Sequence, residues 1–220
     1  MQSHSKDKIV SVHIGCGSNP LDGFINFDYN IFIFFKYIPF STKLLRFFKF
    51  IPKPFSDFVK IAKEKNILYA NAAKKIPMDE SSVDLIYTCH MLEHLDWEES
   101  IQFFSEAFRV LKDGCILRVV VPDFDYLINK YGKNNDVENF IRLSCLVGEK
   151  PKTIIKKMQY LLQGHGWHHQ IFNGESLEKF QSLPFSNISK MKPGVTNIKL
   201  PTTIDFYERS HESIYFEFTK

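Results

Sequence analysis

The chain has 220 residues, which suits one domain of moderate size or one domain with an insert. Hydrophobic residues make up 44% and charged residues 24%, excluding a disordered chain, a collagen-like repeat and a small disulfide scaffold. The 28 basic and 25 acidic residues leave a net charge of +3, too even to indicate nucleic acid by charge alone, and the compositional outlier is phenylalanine, with 22 residues.

The N-terminal MQSHSKDK is polar and lacks the apolar core and cleavage site of a signal peptide. Ile9 to Ile14 reads as a buried strand that runs into the turn-forming cluster Gly15-Cys16-Gly17-Ser18-Asn19-Pro20. Phe24 to Asp28 is a second strand ending on a carboxylate. Residues 31–58 then break the rhythm with aromatics, prolines and lysines, and a helical piece lies near 56–65. Asn66 to Ala70 and Val83 to Thr88 are the third and fourth strands. The strongest helical pattern follows, with Trp97, Ile101, Phe104, Phe108 and Leu111 forming an apolar face. Asp96 with Glu99 gives it a capping-box start, and Gly114 supplies a left-handed residue just past its end. Cys115 to Val121 is an apolar strand broken only by Arg118 and stopped by Pro122-Asp123. Mixed helical segments fill 124–163, Glu175 to Gln181 reads as a helix, and Ile214 to Phe218 as a closing strand. Nearly unbroken apolar strands alternating with helices predict an α/β domain with a parallel sheet covered on both faces.

A glycine-rich turn at the carboxyl end of the first strand of such a sheet is where a nucleotide-like ligand docks, because backbone without a Cβ can approach it closely. Asp28, eleven residues after Gly17, ends the next strand, where a carboxylate can accept hydrogen bonds from both ribose hydroxyls. The four cysteines (Cys16, Cys89, Cys115 and Cys145) show no C-x-x-C spacing, which points to a reducing, cytoplasmic setting.

The order of pieces carries a resemblance. Val12-His13-Ile14-Gly15-Cys16-Gly17, Asp28, Ile76 to Tyr87, Met91-Leu92-Glu93-His94-Leu95, Arg109 to Gly114 and Val119-Val120-Val121-Pro122-Asp123 together resemble the class I S-adenosylmethionine-dependent methyltransferases. More closely, the chain is similar to the small predicted bacterial methyltransferases associated with polysaccharide biosynthesis. The resemblance covers residues 9–131, resumes at Gly164-His165-Gly166-Trp167 and returns near Asp205 to Arg209 and Glu212 to Tyr215. It implies a Rossmann-like seven-stranded, mostly parallel sheet with helices on both faces, in one domain with an aromatic insert at 31–58 and a helical cap at 124–163. It implies S-adenosylmethionine as cofactor, with Gly15, Cys16 and Gly17 under the methionine part and Asp28 at the ribose. Asn71 and Ala72 would lie by the adenine, and Cys89, His90 and Met91 would form the pocket floor. His13, counted with the cofactor-binding residues, stands where many relatives carry an acidic residue that favours the cofactor's ammonium group, and its neutral imidazole can still hydrogen-bond; Asn71 stands where an Asp often contacts the adenine amine.

For a hydroxyl acceptor the reaction needs a base. The candidates are His94, His165 in the Gly164-to-His169 loop, and Asp123 at the end of the fifth strand, which could equally cap the following helix. Trp167 beside His165 suits sugar recognition. His90, Glu93 and His94, at i, i+3 and i+4, share one side of a helical segment and with a loop histidine could hold a divalent metal. Packing and capping roles for Leu-Glu-His-Leu outweigh that reading, so no metal is assigned.

Residues 31–58 hold nine phenylalanines and five basic residues against Asp57 alone. Such a surface suits a lid over an anionic or lipid-linked acceptor, or a peripheral contact with the inner face of a membrane. A packed insert or an interface with a second copy fits it equally well. The expected acceptor is a sugar, glycan or other small hydroxyl compound rather than nucleic acid. A quinone-like lipophilic acceptor, or a degenerate cofactor-binding fold serving as an assembly module, are the alternatives.

Overall fold

The computed structural model describes residues 8–38, 53–131, 137–146, 152–153, 157, 167–176, 180 and 182–220. Its strands are β1 (Ser11–Ile14), β2 (Phe24–Asp28), β3 (Leu68–Tyr69), β4 (Val83–Cys89), β5 (Leu111–Pro122), β6 (Asn187–Met191) and β7 (Ser213–Thr219). They form one sheet in the order β3-β2-β1-β4-β5-β7-β6. Pairings from β3 to β5 are parallel, and β7 lies antiparallel between β5 and β6. The strand order therefore reverses between β1 and β4, and the crevice at that switch point opens at the carboxyl ends of the strands. This is the expected Rossmann-like seven-stranded architecture.

Helices α1 (Lys53–Glu64), α2 (Trp97–Val110), α3 (Phe124–Tyr131) and α4 (Val137–Ser144) accompany the sheet, with a 3-10 helix at Ile31–Tyr37. Side chains alternate across β4 and β5. Val83, Ile86, Leu117 and Val119 join the core that includes Phe103 and Phe104 of α2, whereas Leu85, Tyr87, Ile116 and Val120 pack with Tyr215 and Ile204. Phe32 and Ile33 pack with Phe58, Val59 and Ala62 of α1, whereas Phe34, Tyr37 and Ile38 of the same segment are exposed. Residues 39–52 and most of 147–166 lie outside the described residues.

The capping box of α2 forms as expected, with the Glu99 amide donating to Asp96 Oδ1 at 2.8 Å and the Asp96 amide donating to Glu99 Oε2 at 3.0 Å. Its buried face differs from the expected one. Ser100, Phe103, Phe104, Ala107 and Val110 are buried, while Trp97 and Ile101 are 45% and 38% exposed. Two small residues let the helix approach closely, and Ser100 can be buried because Gln170 Nε2 donates to its hydroxyl at 2.7 Å. Trp97 instead stacks on Phe180, and Phe108 meets Phe185 edge-on. Gly114 does take a left-handed conformation (φ +76°), but not as a helix stop. The helix ends at Val110, and Gly114 serves a bulge between the pairings Val83 to Leu111 and Leu85 to Ile116.

Arg118, the one break in the apolar run of β5, lies directly across from Glu217 of β7. Both are fully buried, with Arg118 Nη1 donating to Glu217 Oε1 at 2.6 Å. The guanidinium lies 4.9 Å from the Phe206 ring and 5.2 Å from the Tyr215 ring. Thr196 Oγ1 and the Asn197 amide also donate to the Glu217 carboxylate. Removing one partner strands a buried charge. Glu217→Ala is expected to cost about 3–5 kcal/mol of stability in chemical denaturation, and a cost below about 1 kcal/mol would show that solvent reaches the guanidinium.

Candidate active site

The turn after β1 is tied to β2 by three backbone donors. The amides of Gly15 and Cys16 donate to Phe27 O at 2.9 and 3.1 Å, and that of Gly17 donates to Asp28 Oδ2 at 2.7 Å. Asp28 Oδ1 accepts from the Asn30 amide at 2.8 Å. Burial raises the Asp28 pKa, while the hydrogen bonds from the Gly17 and Asn30 amides act against that rise. Gly15 has φ +68°, and a Cβ there would come within 2.4 Å of Met91 Cγ. This position requires glycine for both reasons.

Beside this turn lies a cavity of about 390 Å³. Its walls include Gly15, Asp28, Asn71, Ala72, Met91 and His94, six of the residues singled out from sequence. Tyr29, Asn30, Trp167, His169 and Glu99 also line it. Tyr29 and Asn30 directly follow Asp28, and that adjacency was the available signal for them. Glu99 is recognisable in sequence only as half of a helix cap.

Other expected site residues lie elsewhere. His13 is buried with its ring 5.1 Å from Tyr87 and 6.5 Å from Phe24, and burial lowers its pKa to about 4. Cys16 packs with Phe32 and Ile33, and burial pushes its thiol pKa far up, so it stays protonated. Gly17 turns its amide to Asp28 without joining the cavity lining. Cys89 ends β4, and burial lifts its pKa to about 12. Asp123 Oδ1 accepts from the Asp125 amide at 3.0 Å and so caps α3. His165 lies outside the described residues.

His90 adopts φ +52°, and its Nε2 is 2.8 Å from Ser213 Oγ. Its Nδ1 is 3.4 Å from Glu93 Oε1. The short 3-10 turn Leu92–His94 buries Glu93 and carries His94 to the cavity wall. His168 Nε2 lies 3.9 Å from Glu93 Oε1. Burial raises the Glu93 pKa to about 8, lowers that of His90 to about 3 and that of His168 to about 4, and desolvation lowers that of His94 as well. The histidines are therefore neutral at pH 7.

The buried neutral His13 has a consequence for stability. A folded pKa below the unfolded value makes protonation favour the unfolded chain, so stability is full above pH 6.5 and falls as the pH drops toward 4. Between pH 7 and pH 5 the wild type should lose about 2 kcal/mol more than His13→Leu in urea denaturation. Identical losses would show that His13 is solvated.

Comparisons with known proteins bear on the fold and on one segment of the chain. Residues 53–119 match the model of a methyltransferase domain. A probable S-adenosylmethionine-dependent methyltransferase of Mycolicibacterium smegmatis is 38% identical over 58 residues, 26% of this chain and 21% of the relative. The match thus spans about a fifth of that curated relative's length. A SAM-dependent methyltransferase from Archaeoglobus fulgidus superposes with a TM-score of 0.52 at 13% identity, covering 98% of this chain and 87% of that one. A protein of Pyrococcus horikoshii OT3 does so with a TM-score of 0.51 at 14% identity, covering 98% and 84%. Strand order and superposed structures converge on the fold of class I methyltransferases, Rossmann-like and seven-stranded, and residues 53–119 are similar to a methyltransferase domain.

Proposed function

We propose that the chain is an S-adenosylmethionine-dependent methyltransferase acting on the hydroxyl of a sugar, glycan or other small acceptor. The single observation that carries the cofactor reading is the Asp28 carboxylate, held by two backbone amides at the edge of a cavity that begins at Gly15. Each carboxylate oxygen takes one amide and keeps a lone pair for a ribose hydroxyl. The cavity volume falls within the range of small-molecule sites, and Gly15 permits a close backbone approach. The chain's residues thus fit the cofactor, with Asn71 and Ala72 as the adenine wall and Met91 beneath the turn. His13, packed in the core, contributes no partner for an ammonium group.

When bound, S-adenosylmethionine supplies an electrophilic methyl group on a sulfonium. The chain's own part is alignment and proton handling. An acceptor hydroxyl gives up its proton as its oxygen gains the methyl group, and the imidazoles of His94 and His169 line the cavity to receive it. His94 Nδ1 lies 3.1 Å from the Trp167 carbonyl, so that nitrogen carries the proton and the lone pair sits on Nε2. The Trp167 ring offers an apolar face suited to a sugar ring. The acceptor class rests on this wall and on the resemblance to polysaccharide-associated methyltransferases.

Calorimetric titration with S-adenosylmethionine tests the cofactor reading. Asp28→Ala should weaken binding at least about tenfold, since hydrogen bonds to a charged group contribute about 1.5–3 kcal/mol. No binding by the wild type, or equal binding by the variant, would contradict it. Transfer of a labelled methyl group to nucleotide sugars and oligosaccharides tests the acceptor class, and label found only in a quinone would overturn it.

A further inference from the structure

Glu93 is 1% exposed, yet neither of its carboxylate oxygens accepts a hydrogen bond among the described residues. Burying a carboxylate without donors is costly unless it is protonated or a cation lies beside it. The groups facing it are histidines. One donor atom each from Glu93, His94 and His168 lies within 4.8 Å of the others, and His90 Nδ1 stands at 3.4 Å from the same carboxylate. We propose that Glu93, His94 and His168 bind a divalent first-row transition-metal ion, of the zinc or cobalt type, at the wall of the cavity.

The surrounding contacts hold these groups as a ligand set requires. A ligating histidine usually donates its second ring nitrogen to a carbonyl or carboxylate, which fixes tautomer and orientation. His94 Nδ1 is so placed on the Trp167 carbonyl, and the His168 ring is hydrogen-bonded to the Ser144 backbone. The segment bearing His168 is also joined to the turn bearing Glu93 and His94. The amides of His169 and Gln170 donate to the Glu93 carbonyl at 2.8 and 3.2 Å, and the His168 amide donates to Cys145 O at 3.0 Å. Burial keeps the imidazoles neutral, the state in which they ligate.

Two imidazole nitrogens and one carboxylate oxygen suit zinc and its neighbours, not calcium or magnesium, which favour oxygen donors. Ligand atoms around one zinc ion lie about 3–3.5 Å apart, so small rotations of the side chains close the set. Three protein ligands leave a position for water or an acceptor oxygen. His94 lines the cavity, which places that position at the acceptor end. With the ion bound, His94 is a ligand and no longer a proton acceptor: the ion acidifies a bound hydroxyl as a Lewis acid, and its proton leaves to His169 or water. This catalytic use rests on the methyltransferase reading. Metal binding itself does not.

The test uses the tag-free full chain, stripped with chelator and titrated with cobalt(II), followed by visible absorption, then with zinc(II) in competition. One equivalent should bind and give the intense d–d bands of a low-coordinate site. Glu93→Gln, which keeps side-chain volume, and His168→Ala should each weaken binding tenfold or more, while His211→Ala, on the exposed surface, should not. Circular dichroism of Glu93→Gln confirms that the variant is folded. No stoichiometric binding by the wild type, or unchanged affinity in both site variants, overturns the proposal. S-adenosylmethionine affinity measured on the same samples reports on the methyltransferase reading alone, since Gly15, Asp28 and Asn71 are intact in every variant.

Discussion

The Gly17 amide and the Asp28 carboxylate, 2.7 Å apart, join the turn after β1 to the end of β2, and the layout of the site depends on that bond. β1 is parallel to both β2 and β4, so the chain leaving β1 must turn across the switch point without filling it. The Gly15 and Cys16 amides hold the turn against Phe27 O, and the missing Cβ at Gly15 leaves room for Met91. The Asp28 side chain then stands at the cavity edge with part of its hydrogen-bonding capacity in use. A carboxylate left wholly unpaired at this depth would tend to protonate, and one fully satisfied by protein donors would have nothing left for a ligand. Two amides lie between those limits.

The opposite end of the cavity has a different electrostatic character. Four titratable side chains, His90, Glu93, His94 and His168, meet around the turn after β4, and the buried Glu93 carboxylate accepts no hydrogen bond among the described residues. The near-neutral total charge of the chain says nothing about this cluster. It arises from two segments about 75 positions apart, tied by main-chain bonds from the His168 segment to Glu93. A carboxylate at one end and a cluster of imidazoles around Glu93 at the other give the cavity a direction, from Asp28 toward His94.

Legibility in the sequence followed burial. β1, β2, β4 and the later part of β5 were readable because strands covered on both faces are nearly continuous runs of apolar residues. The Asp96–Glu99 cap was readable because it is a local motif. The edge strand Asn187–Met191 was not, since it is polar and largely half-exposed. The buried face of α2 was misjudged because large apolar residues dominate a periodicity reading, whereas Ser100 and Ala107 are buried for close approach. Gly15, Asp28, Asn71, Ala72 and Met91 could be read into one site because they follow successive strand ends. His13 could not be placed, because a histidine inside a strand shows no sign in sequence of which sheet face it occupies. The sequence pairs Glu93 with a histidine of the Gly164-to-His169 loop, but only the third dimension brings His168 to it.

A crystal structure of the full chain with S-adenosylhomocysteine tests the central claim most directly, because that claim is a placement. The account predicts electron density for the nucleoside between Gly15 and Asn71, with both ribose hydroxyls within hydrogen-bond distance of Asp28. Density elsewhere on the molecule, or a ribose without contact to Asp28, would contradict it.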